Sequence, residues 1–142
     1  EFLIFLLLGL GLSLFVGSAF LITQIFFVLN GLFYNVRPFR VKDIVILDVV
    51  CEGLNNTIRF FLGWFVMHSF WPPLSLIIST WMLGIFLMSL KRQFEIEKFN
   101  SLEIARNYRK SFLHYTKARL LSIELVCFFS SLLGLVVFLK TH

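Results

Sequence analysis

Asp48, Glu52, Asn55, Asn56 and Arg59 are the residues in this sequence best placed to do chemistry. They punctuate an otherwise apolar run, LDVVCEGLNNTIRFFLGW. At about 100° per residue the five side chains fall within roughly a 100° arc of a helix, with Gly63 on the same side. The rest of that wheel is mostly Ile, Leu, Val and Phe. A helix that is greasy all round except for one polar stripe makes little sense in water, but suits a bilayer segment lining a polar cavity. Asp48 and Glu52 stand one turn apart, where like charges repel. Burying both therefore requires a cation. It could be a bound divalent ion, Arg59 reaching back, or a Lys or Arg from a neighbouring segment. A purely structural network between helices would use the same residues.

Basic residues flank the stripe. Tyr34, Arg37, Arg40 and Lys42 lie in the stretch leading into it. Guanidinium groups grip phosphate or diphosphate in a bidentate fork, although basic loops also anchor membrane proteins to anionic lipid. Asp43 is placed to cap the helix that follows. Further on, Lys91, Arg92 and Glu95 close another apolar run. If that run opens on the same cavity, Glu95 adds a carboxylate and Lys91 and Arg92 add phosphate donors. Lys91 and Glu95, one turn apart, could instead pair with each other. Glu124 is a lone acid in an apolar segment, a pattern that fits a helix–helix hydrogen bond. His68, His114 and His142 have no metal-ligand spacing, and Cys51 and Cys127 read as small apolar core residues.

The elements that must position these groups are membrane helices. The chain is 58% hydrophobic, with 19 Phe among 142 residues, whereas soluble domains run nearer 45–50% apolar. The net charge of +5 does not indicate nucleic acid, because the basic residues sit between apolar runs. Four transmembrane helices are predicted, at about 2–29, 44–66, 74–90 and 120–139. Loops are expected at about 30–43 and 91–119. The second contains an interfacial amphipathic helix that starts at a capping box, Asn100 with Glu103, and has Ala105, Tyr108, Phe112 and Tyr115 on one face. Of 13 Lys and Arg, three lie in 31–42 and eight in 91–119. With four crossings both loops fall on one side, which the positive-inside rule makes cytoplasmic. The fold class is all-α, a polytopic helical bundle in a single membrane domain.

Order and spacing carry a resemblance. Tyr34…Pro38-x-Arg40-x-Lys42-Asp43…Leu47-Asp48-Val49, then Glu52-x-x-Asn55-Asn56-x-x-Arg59 and Gly63-Trp64, resembles the middle of UbiA-superfamily intramembrane prenyltransferases. Lys91-Arg92-x-x-Glu95 is similar to the second metal-and-phosphate motif of the branch that includes decaprenyl-phosphate phosphoribosyltransferases. Tyr108-Arg109-Lys110-Ser111…Tyr115-Thr116 fits the segment after it. The resemblance covers about residues 30–120. It implies a nine-helix bundle around a cavity where Mg²⁺ holds the diphosphate of an isoprenoid donor. Loss of diphosphate would leave an allylic cation for an acceptor to attack.

Position by position, the resemblance makes Glu95 a metal ligand. Lys42 and Arg40 become phosphate-binding residues, a role for which Tyr34, Arg37, Lys91 and Arg92 are candidates by residue type and position. Asp48, Glu52, Asn55, Asn56 and Arg59 become the catalytic lining. In the phosphoribosyl branch a soluble sugar diphosphate is the donor and a polyprenyl phosphate lipid the acceptor. The superfamily's first acidic motif is absent from these residues, and Glu95 and Glu97 replace a run of aspartates in the second. The expectation is therefore a C-terminal half that is inactive without the N-terminal half of the same enzyme. The rival expectations are a transporter with an ion path along the stripe, and a structural membrane subunit.

Overall fold

The computed structural model describes residues 2–98 and 110–141, and every regular element among them is helical. Helix α1 spans Phe2–Val16, α2 Ser18–Asn35, α3 Leu47–Met67 and α4 Leu74–Lys98. Helix α5 spans Lys117–Thr141, and 3₁₀ turns occupy Val41–Asp43 and Lys110–His114. Three helices, α2, α4 and α5, are long and apolar enough to cross a membrane. The 21 residues of α3 reach about 30 Å at 1.5 Å per residue. Its stripe of charges keeps it out of that group.

The helix expected over 2–29 is two helices. Gly17 takes φ 147° and ψ 164°, a backbone open to glycine and rarely to other residues. There α1 ends and folds back along α2, so that Phe5 and Leu6 line a groove with Gln24, Phe27, Val28 and Leu32. Helix α2 then runs on to Asn35 and takes Asn30 and Tyr34, expected in a loop, onto its last turns.

Helix α3 starts at Leu47 rather than 44. Asp43 does not cap it; its carboxylate pairs with Arg40 Nε at 3.0 Å, and the N-cap is Ile46 at φ 70°. Helix α4 continues two turns past Leu90 to Lys98, because KRQFEIEK contains neither Gly nor Pro to stop it. The amphipathic helix predicted from Asn100 lies mostly outside the described residues. Its last part is the 3₁₀ turn Lys110–His114, and Phe112 and Tyr115 of its apolar face are buried.

Small residues set how the helices meet. Helices α3 and α4 cross at Gly53 and Gly84, where a Cβ on Gly84 would lie 2.5 Å from the Gly53 carbonyl oxygen. Helices α4 and α5 meet through Gly134, against Ser75 and Ser79. Ser79 Oγ also donates to the Ser131 carbonyl at 2.8 Å. Between lipid-embedded helices there is no hydrophobic drive, so close backbone approach and hydrogen bonds must do the holding. Val49, Ile85, Phe112, Tyr115, Leu120 and Cys127 form the buried core. Large apolar side chains such as Phe5, Phe15, Phe129 and Leu133 lie on the outside, the distribution expected of a chain solvated by lipid.

A candidate site built around Arg92

The extra turns of α4 decide the site. Cβ atoms tilt toward a helix N-terminus, so Arg92, two turns beyond the Gly84 crossing, leans back along α4 toward the first turns of α3. There its guanidinium is completely buried among three carboxylates. Nε donates to Asp48 Oδ2 at 3.0 Å, and one Nη donates to Glu95 Oε2 at 2.5 Å. The other Nη donates to Glu52 Oε2 and to the Tyr34 hydroxyl at 3.1 Å. Lys91, on the exposed side, adds its ammonium to Glu52 Oε1 at 2.7 Å. The repulsion anticipated between Asp48 and Glu52 is thus relieved by a neighbouring segment, one of the options open from sequence. The i, i+4 pairing of Lys91 with Glu95 does not form. Lys91 goes to Glu52, and Glu95 goes to Arg92.

Two tyrosines and a serine complete the cluster. Tyr34 donates to Glu52 Oε2 at 2.9 Å. Tyr115 donates to Asp48 Oδ1 and accepts the Ile46 N–H at 2.9 Å. Ser111 Oγ lies 3.4 Å from Asp48 Oδ2 and donates to the Lys42 carbonyl at 3.2 Å. Burial, and then the hydrogen bond to Asp48, push the Tyr115 phenol far above its ordinary pKa, so it stays a protonated donor. Its second bond steadies Ile46, a β-branched residue at positive φ, which is an outlier that surroundings must enforce. Sequence reasoning placed Ser111 and Tyr115 in a family-like segment but not in the site. The signal available was the place of Tyr115 on the apolar face that had to dock somewhere; nothing comparable marked Ser111.

The other half of the stripe is in different company. Asn55 Oδ1 accepts from Asn30 Nδ2 at 2.8 Å, and the same amide donates to the Cys51 carbonyl at 3.2 Å. Asn56 is half-buried, and Arg59 is exposed with its guanidinium 5.5 Å from the Phe27 ring centroid. Asn55 lines the groove between α1 and α2, about 510 Å³, which runs past Gly31 to Asn35 and Val36. Just beyond, Arg37, Arg40, Asp43 and Lys110 surround a second groove of about 700 Å³. Lys42 points elsewhere, donating to Asn35 Oδ1 at 3.3 Å. A third cavity, about 400 Å³ and almost wholly apolar, is walled by Phe26, Leu54, Ile58, Phe61 and Trp81. Glu124 is buried on the α5 stripe with Leu120, Cys127 and Ser131. Its Oε1 has no hydrogen-bond partner among the described residues.

Of the twelve residues marked from sequence, Tyr34, Asp48, Glu52, Lys91, Arg92 and Glu95 are drawn into one knot. Asn55, Asn56 and Arg59 lie further along α3. Arg37 and Arg40 stand at the basic groove, and Lys42 turns away. Mg²⁺ demands near-octahedral oxygen ligands at about 2.0–2.1 Å. The carboxylates of Asp48, Glu52 and Glu95 are directed instead at N–H donors of one guanidinium, so these residues as arranged do not fit the ion. Among the described residues no group of three or more His, Cys, Asp or Glu is disposed to hold a metal. Comparison with protein-family models, with curated proteins and with solved structures returned no match.

Proposed function

We propose that this chain is part of an intramembrane transferase of the UbiA type, moving a prenyl group from a polyprenyl diphosphate to an acceptor. One observation carries the reading. Residues that the resemblance marks in separate stretches meet in one buried cluster where the N-terminus of α3, the C-terminal end of α4 and the segment before α5 come together. In this reading α2, α3, α4 and α5 are the four crossings, α3 being shielded by its neighbours. The stretches around 36–46 and 110–116 lie at the same end of the bundle, joined by the Ser111–Lys42 and Tyr115–Ile46 hydrogen bonds. The positive-inside rule would make that end cytoplasmic.

The chain's own residues then divide the work. Arg37, Arg40 and Lys110 hold the diphosphate at the basic groove. The isoprenoid tail lies along the groove of Gln24, Phe27, Gly31 and Asn55, which ends beside Arg37. The allylic C–O bond breaks with its electron pair leaving on the diphosphate, whose growing charge the basic side chains stabilise. The acceptor supplies the pair for the new bond and releases a proton. No step runs through a metal held by Asp48, Glu52 and Glu95.

The test is a product assay on the full-length protein in detergent with labelled polyprenyl diphosphate and Mg²⁺, repeated with EDTA. Labelled lipid product supports the reading, and its loss with EDTA would show that turnover needs a divalent metal ion. If no product forms and no diphosphate is released, prenyl transfer is excluded. A sugar diphosphate with a polyprenyl phosphate acceptor is then the next pair to assay, and solute flux in sealed vesicles would favour a transporter.

A further inference from the structure

We infer that Arg92 is the resident cation of this site, a covalently tethered guanidinium that holds Asp48, Glu52 and Glu95 apart and so keeps a divalent metal ion from drawing them together. A guanidinium presents five N–H donors in a rigid plane. Arg92 directs donors from all three of its nitrogens to three different acids, and one Nη also reaches Tyr34. The side chain is fully buried, and Asp48 is too, so neither is a surface charge finding a casual partner. The acids come from α3 and from α4's own next turn, so the guanidinium also ties the two helices beyond their glycine crossing.

The consequence concerns metal ions. Wild-type protein excludes divalent cations from this position, because the oxygens are already directed at N–H groups. Removing the guanidinium takes away the N–H groups that hold the three carboxylates apart, so that Asp48, Glu52 and Glu95 are free to close on a hard cation. Arg92→Ala should therefore acquire a divalent-ion site that the natural protein lacks. This inference is independent of prenyl transfer, because its readout is metal binding and not turnover.

The experiment uses Mn²⁺ as the probe, followed by electron paramagnetic resonance and by thermal melting of purified protein in detergent. Wild type is expected to show no Mn²⁺ site that Glu52→Gln weakens. Arg92→Ala should bind Mn²⁺ at least about tenfold more tightly than wild type, and Glu52→Gln in that background should abolish the gain. With free Mn²⁺ about a hundredfold above its Kd, mass action should raise the melting temperature of Arg92→Ala by roughly 5–15 °C. Equal Mn²⁺ affinity in the two proteins overturns the inference. If Arg92→Ala cannot be recovered even with Mn²⁺ present during purification, wild type decides alone. A melting temperature unmoved by Mn²⁺ supports the inference, and a stabilisation that Glu52→Gln removes sinks it.

Discussion

The polar stripe of α3 is one feature in sequence and two in space. Its first half, Asp48 and Glu52, is clasped by α4, by the end of α2 and by the segment before α5, and takes hydrogen bonds from Arg92, Lys91, Tyr34 and Tyr115. Its second half, Asn55 to Arg59, looks toward α2, where Asn55 accepts an amide hydrogen from Asn30 and Arg59 lies over the ring of Phe27. The difference lies in the neighbours, not in α3. A closed ion cluster stabilises a helix crossing but leaves its groups little freedom to meet a substrate. An open one can meet a ligand. In the transferase proposed above, the knot is the frame of the site and the Asn55–Arg59 face with the adjoining grooves is its working surface.

Breaking the frame should cost the most. Arg92→Ala in metal-free buffer leaves buried carboxylates uncompensated, and should destabilise the protein by about 3–5 kcal/mol, measured by thermal or denaturant unfolding in detergent. Gly84→Ala attacks the same crossing sterically, since its new Cβ meets the Gly53 carbonyl. Overpacking of this kind should cost about 1–3 kcal/mol, with the larger loss expected because the obstacle is backbone. Tyr115→Phe removes the donor to Asp48 and the acceptor for Ile46, an expected loss of about 1–3 kcal/mol seen as a lower melting temperature. Arg59→Ala should cost only about 0.5–1 kcal/mol, the scale of an exposed cation–π contact, while turnover in the product assay falls sharply. An Arg59→Ala protein that melts far earlier, or a Tyr115→Phe protein as stable as wild type, would erase the distinction between the two halves.

Sequence alone reached the helical class, the demand for a countercharge near Asp48 and Glu52, and two basic stretches that belong together. Each follows from local rules: composition, the 3.6-residue period and the energy of burying charge. It placed Tyr34 and Arg92 among candidates by type and spacing, yet could not say that one would donate to Glu52 and the other to three acids at once. It read residues 2–29 as a single crossing, because a lone Gly17 in an apolar run does not announce whether it will take a positive φ. It ended the third helix at Leu90, where apolar composition stops, although helix propensity does not stop there.

Only the tertiary structure decided which cation answers which acid. Helix periodicity fixes the face a side chain occupies, but a partner depends on where two helices cross and how closely. Here that is set by Gly53 against Gly84, a contact between backbones with no side-chain pattern to betray it. The crossing brings Arg92 beside Asp48 and Glu52, and so makes a guanidinium from the next helix the countercharge those acids demand.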